Sequence, residues 1–174
     1  MSINQEPRAT NGATMTQHSS HLDGTGKVRM VNVAGKRPTH RQALASCVVR
    51  TTADLSTLEP NHEGIEAQHS ARLAGIQGAK QTPNLIPLCH PINLDQVHVE
   101  VNAAEGAISI STVVDATHRT GVEMEALTAC AVAALAMLNA LIGVDPLAQI
   151  DGLGLDLKTG GKSGDWGRLA HLPR

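Results

Sequence analysis

Two carboxylates, Glu123 and Glu125, stand at the head of the run Gly121 to Ile142, which continues as an almost wholly apolar segment broken by one amide, Asn139. Carboxylates can give and take protons. An amide stays neutral at ordinary pH, so Asn139 can orient a substrate carbonyl or amide but cannot act as acid or base. Each group also has a plainer role. The two acids complement the unpaired N–H groups of a helix start, and Asn139 can satisfy backbone near a helix end. On a helix the acids point about 200 degrees apart, so only Glu125 shares the phase of Asn139.

Two further segments carry chemistry. In Leu85-Ile-Pro-Leu-Cys-His90-Pro91 the prolines fix the loop that presents His90, a residue able to transfer protons, meet phosphate or bind metal, or simply to hold the loop by a hydrogen bond. Lys158-Thr-Gly-Gly-Lys162-Ser-Gly164 combines cations with glycines that can turn N–H groups inward. That is a plausible oxyanion cradle, with a solvated tail as the plain alternative. It lacks the Walker pattern, whose glycines precede a helix. Arg41, Arg72, Lys80 and Arg119 are the other cations that could meet an anion. Together these residues point to a pocket for a phosphorylated small molecule.

The composition narrows the alternatives. A chain of 174 residues can build one core, and no second domain is needed to explain its length. Aromatics are 1% of the chain, with no Tyr or Phe, which removes the usual stacking platforms for bases, and the formal charge of -2 gives no general attraction to nucleic acid. Cys47, Cys89 and Cys130 are far apart and show no paired spacing. They read as free thiols in a reducing cytoplasm. The histidines His62, His69, His98 and His118 form no ligand pattern, so no metal is expected. The run from Ala126 to Ile142 is too short for a membrane span and reads as a core helix.

The elements that must position these residues follow from periodicity. Residues 1–27 are polar and should be disordered, with a single domain over 28–170. Met30–Val33 is a short extended candidate. Ala43–Thr51 reads as a strand, and Thr52 could cap a short helix toward Leu58. From Glu66 to Lys80, Ala67, Ala71, Ala74 and Gly78 give a helix with a smooth face, after which Pro83, Pro87 and Pro91 cut the chain into short pieces. Val97–Val101 and Ala107–Val114 alternate and should form an antiparallel hairpin around Glu105-Gly106. Leu153–Lys158 is a last strand. Helices laid on one face of an antiparallel sheet, an α+β sandwich, is the simplest arrangement.

The chain resembles the cyclic pyranopterin monophosphate synthase family, or MoaC family, of molybdenum cofactor biosynthesis. The resemblance spans about residues 24–168 and rests on Met30-Val31, Arg72-Leu-Ala-Gly-Ile-Gln-Gly-Ala-Lys80, Leu85-Ile-Pro-Leu-Cys-His-Pro91, Thr120-Gly-Val-Glu-Met-Glu-Ala-Leu-Thr128 and Gly160-Gly-Lys-Ser-Gly164. It implies a ferredoxin-like subunit in a trimer of dimers, with active sites at the dimer interface. It further implies rearrangement of 3',8-cyclo-7,8-dihydro-GTP to cyclic pyranopterin monophosphate with loss of pyrophosphate, and no cofactor. His90, Glu123 and Glu125 match the family's catalytic positions, and Arg41, Lys158 and Lys162 its substrate-binding ones; Cys89 and Met124 fall in the same motifs as further substrate-binding positions. Three positions depart from the family pattern. Glu63 stands for a catalytic lysine, Asn139 for an aspartate and Ile142 for a second lysine. Glu63 and Asn139 stay on the candidate catalytic list. A non-catalytic ligand-binding or partner homologue is the alternative to an enzyme.

Overall fold

β1 (Thr39–Arg50) sets the frame. Along it Ala43, Ala45, Cys47 and Val49 are buried, while Gln42, Leu44, Ser46 and Val48 are half-buried. This is the period-two signature of a strand covered on one face. The computed structural model describes residues 21–54, 62–104 and 106–168. The chain divides into two units, Met1–Val31 and Asn32–Arg174.

In the larger unit α1 (His62–Leu85), β2 (Gln96–Ala104), β3 (Ala107–His118), α2 (Glu123–Leu141), β4 (Gln149–Thr159) and the short β5 (Trp166–Gly167) follow β1. The sheet order is β2-β3-β1-β4-β5, with antiparallel neighbours throughout. Because β3 lies between β1 and β2, those two strands run the same way, and β1 likewise separates β3 from β4. Each helix is thus the crossover of a split β-α-β unit, which is the ferredoxin-like sandwich. The helices consequently run antiparallel to each other.

A core without aromatics brings the layers close together. Its largest buried side chains are Ile108, Ile110, Met137, Leu141 and a set of valines. Between the helices the spacer is glycine. A Cβ on Gly78 would lie 2.9 Å from Val132 Cβ, and one on Gly75 would lie 3.0 Å from the Ala129 carbonyl oxygen and 3.1 Å from Val99. Ala71, Gly75, Gly78 and Thr82 are the buried ridge of α1. The expected smooth face therefore turns slightly, with Gly75 taking the place of Ala74.

Several local expectations are corrected. Pro83 does not cut the chain but lies inside α1, since a proline near a helix end forfeits only one hydrogen bond. The helix closes with Ile86 N–H donating to the Thr82 carbonyl at 2.9 Å, and Cys89 N–H then bonds the Ile86 carbonyl at 3.0 Å across Pro87. Met30–Val33 forms no strand. In the small unit, Leu22 and Val28 make an isolated bridge around Asp23, whose Oδ1 accepts from Thr25 N–H at 2.8 Å and Lys27 N–H at 2.9 Å. The expected short helix after Thr52 falls on residues 55–61, outside those described. Thr52 itself bonds Asp145, through N–H at 2.6 Å and Oγ1 at 3.1 Å. The bonds to Asp145, led by that from Thr51 Oγ1 at 2.7 Å, pull its carboxyl down to about 2.

By length and composition α2 could cross a membrane, yet its residues Ala126, Ala129, Cys130, Ala133, Ala134, Met137 and Leu141 are buried in this sandwich. Tight helix packing makes a clear prediction. Gly78→Val gains at most about 0.5 kcal/mol in helix propensity but overpacks the Val132 contact, for a net loss of about 1–3 kcal/mol. A urea titration should show the midpoint falling; an unchanged midpoint would mean that the helices separate without cost.

Candidate functional site

The connectivity gathers five segments at one end of the sandwich: the start of β1, the ends of β3 and β4, the start of α2, and the loop from α1 to β2. Arg41 enters from β1, and its guanidinium occupies the space that a Cβ on Gly161 would need. A Cβ on Gly160 would strike the His40 carbonyl. Both glycines have φ of 82°, which favours glycine at each, and Gly160 is required further by its backbone contact. Arg41 Nε is buried without a hydrogen-bond partner among the described residues. Lys158 Nζ donates to Ser163 Oγ at 2.9 Å and faces Glu123 Oε1 at 3.5 Å. Asp165 closes the turn by accepting Gly160 N–H at 2.9 Å. Lys162 is exposed on it.

The first turn of α2 has no side-chain cap at Val122. Glu123 folds its carboxylate back over Gly121, which only a residue without Cβ permits. Glu125 points inward and is 3% exposed. Burial pushes its carboxyl up to about 7, its own N–H opposes that shift, and the charge of Glu123 adds to it. Burial and then the charge of Glu125 also raise the Cys89 thiol, which places Cys89 and His90 on the loop beside this helix start. Met124, 37% exposed, lies between the two acids in sequence and faces outward.

One residue here escaped the sequence reading. His118, at the end of β3, accepts Thr120 N–H at Nδ1 over 3.4 Å, with Thr120 Oγ1 at 3.0 Å from the same nitrogen. Burial lowers the His118 pKa, and the neighbouring charges of His90, Arg119 and Arg41 lower it further. Extending the alternation of β3 beyond Val114 would have carried the strand to it.

Other expected members are elsewhere. Asn139 shares the helical phase of Glu125 but lies about 21 Å farther along the axis, and it is exposed where Glu125 is buried. Glu63, in the first turn of α1, and Ile142, after the last turn of α2, belong to that same far end. Arg72 is not at the cationic loop, because Nη2 donates to the Val101 carbonyl at 3.2 Å. Lys80 is exposed on α1. Among the described residues no group of three or more His, Cys, Asp or Glu side chains is arranged to hold a metal ion.

These positions can be set beside known proteins. Residues 30–161 match the MoaC family. The cyclic pyranopterin monophosphate synthase of Streptomyces avermitilis is 45% identical over 162 residues, covering 91% of this chain and 95% of that protein. The chain belongs to the MoaC family. Proteins of the same name from Nocardioides sp. and Nostoc sp. are 46% and 44% identical, covering 86% and 93% of this chain and 94% and 96% of their own lengths. Within this MoaC-family chain, the buried acid and the cationic glycine turn occupy one end, and Glu63, Asn139 and Ile142 the other.

The state of Glu125 is testable without a ligand. Its folded pKa is about 7 against an ordinary 4.5, so between those values the native state holds the proton more firmly than the unfolded chain. Stability is therefore full below about 4.5 and falls as pH rises through 7, by about 3 kcal/mol. Denaturation of the natural chain and of Glu125→Gln from pH 4 to 8 should show that slope only in the former. Parallel profiles would place the carboxylate in a solvated setting.

Proposed function

We propose that this MoaC-family chain is an enzyme of the cyclic pyranopterin monophosphate synthase type. It rearranges a cyclised guanosine-derived nucleotide, or a related nucleoside intermediate, and releases pyrophosphate where the substrate carries a triphosphate. It works as a cytoplasmic homo-oligomer, a trimer of dimers, without a cofactor. The observation that carries the reading is the buried Glu125, two residues along α2 from the Glu123 carboxylate that meets Lys158 of the glycine turn.

In this reading Lys158, Lys162 and Arg41 meet the phosphates. Cys89 and Met124 are the further substrate-binding positions of the family motifs. Glu125 and His90 exchange protons with the substrate, and Glu123 holds Lys158 in place while its charge adds to the burial that raises the Glu125 pKa. Glu63 and Asn139 sit about 20–30 Å away along their helices, so a neighbouring subunit's far end must supply them. Removal of both cations, as Lys158→Ala with Lys162→Ala, should weaken pyrophosphate binding by at least tenfold in calorimetry. Unchanged affinity would move the anion site elsewhere.

Asn139 and Ile142 favour a second reading. Neither side chain can exchange a proton, and both are exposed, as suits a non-catalytic ligand-binding or partner homologue. One assay separates the two. With the cyclised GTP intermediate, the natural chain should turn over feebly, because each lost acid or base role costs about 10²–10⁴-fold. The triple variant Glu63→Lys, Asn139→Asp, Ile142→Lys should turn over faster. Vigorous turnover by the natural chain would assign the proton transfers to Glu63, His90 or Glu125. Inactivity of both forms would favour the partner role.

A further inference from the structure

Cys47 and Cys130 meet in the middle of the sandwich although they are 83 residues apart in sequence, with Cys130 Sγ 3.3 Å from Cys47 Sγ. The register explains the meeting. Cys47 is a helix-facing residue of β1 and pairs with Ile110 of β3, and Cys130 lies above that pair, its Sγ 3.9 Å from the Ile110 carbonyl oxygen. Both thiols are free and buried, at 3% and 0% exposure. The third, Cys89, is half-buried on its loop and faces neither of them within hydrogen-bond range.

We propose that Cys47 and Cys130 form a dithiol site that a hydroperoxide converts to a disulfide joining β1 to α2. A disulfide requires about 2.05 Å between the sulfurs, so the pair must close by about 1.2 Å. Both elements carry small buried residues that leave room for it, Ala45 on the strand and Ala129, Ala133 and Ala134 on the helix. The direction of the chemistry follows from the contact. Cys130 S–H donates to Cys47, which lowers the pKa of Cys47 and raises that of Cys130, so the thiolate forms on Cys47. That thiolate attacks the terminal oxygen of hydrogen peroxide, breaks the O–O bond and becomes a sulfenic acid, with hydroxide leaving. The Cys130 sulfur then attacks the sulfenic sulfur. The S–O bond breaks, and the oxygen leaves as water with the Cys130 proton. Two thiols and one peroxide thus give one disulfide and two waters. An oxidant of this size and without charge suits a buried pair, reached when the sandwich opens locally. The bond would fix the spacing between the strand that begins near Arg41 and the helix that begins at Glu123.

The test uses the full chain treated with dilute hydrogen peroxide, quenched and mapped by mass spectrometry without reduction. Titratable thiols in denaturant should fall from three to one. The peptides holding Cys47 and Cys130 should appear joined and two hydrogens lighter, and dithiothreitol should separate them. The melting temperature should rise by several degrees on oxidation, because the link closes a long loop of the unfolded chain. Cys47→Ala and Cys130→Ala should each abolish that rise. Retention of all three thiols, a link that includes Cys89, or sulfinic acid on Cys47 without a link would overturn the proposal. Should either variant fail to fold, peptide mapping of the natural chain decides alone.

Discussion

The contact of α1 and α2 through Gly75 and Gly78 is the constraint on which the rest of the sandwich depends. With no Phe or Tyr to fill a wide gap, the core can reach interior density only if backbones approach one another. Two glycines on one ridge of α1 allow it, and Ala129 and Ala133 answer them from α2. Ala43 and Ala45 do the same beneath the helices on β1. Close layers leave little slack, so the first turn of α2 lands against the loop that holds Cys89 and His90. That placement takes Glu125 out of water.

Burial then sets the electrostatics. A carboxyl in a side chain 3% exposed holds its proton up to about pH 7, and Lys158 is engaged by Glu123 and Ser163 instead. Glu123 thereby has two effects at once: it neutralises the lysine and adds negative charge beside its neighbour. The cations stay at the rim, where Arg41 lies across the two left-handed glycines. Under the proposed function, rim cations and an inward acid of raised pKa would bind charge at the mouth of the site and exchange protons deeper in.

Much of this was legible in the sequence, for reasons that differ by element. The hairpin of β2 and β3 and the apolar body of α2 announce themselves because their periodicities are strong and uninterrupted. The antiparallel α+β layers follow from them, and the ferredoxin-like arrangement is what the family resemblance implies. Pro83 misled, since a proline's effect depends on how many turns remain after it, and only the last turn followed. Gly75 was hidden by Ala74, because a shift of one residue along a ridge is invisible until the partner helix is known. Met30–Val33 has strand-like residues but pairs with no strand among the described residues. Within the candidate site, Arg41, Glu125, Cys89, His90 and Lys158 do meet at one end. Their convergence is a property of topology, which brings together chain segments more than a hundred residues apart. His118 was missed because its pattern lies at a strand end, and the Cys47–Cys130 contact because spacing in sequence carries no information about facing layers.

Asn139 shows what helical phase alone can and cannot say. It lies on the same angular face as Glu125, yet fourteen residues of rise separate the two, and Asn139 is exposed where Glu125 is buried. A face is a direction, and a site is a place. In one chain the far end, with Glu63, Asn139 and Ile142, can never serve the end with Glu125. The helices are rigid, and neither can shorten by the required distance. Any chemistry that uses both ends must therefore use two chains. In the proposed trimer of dimers, a change at Asn139 or Ile142 would then act on a neighbour's pocket while leaving its own chain's buried acid untouched.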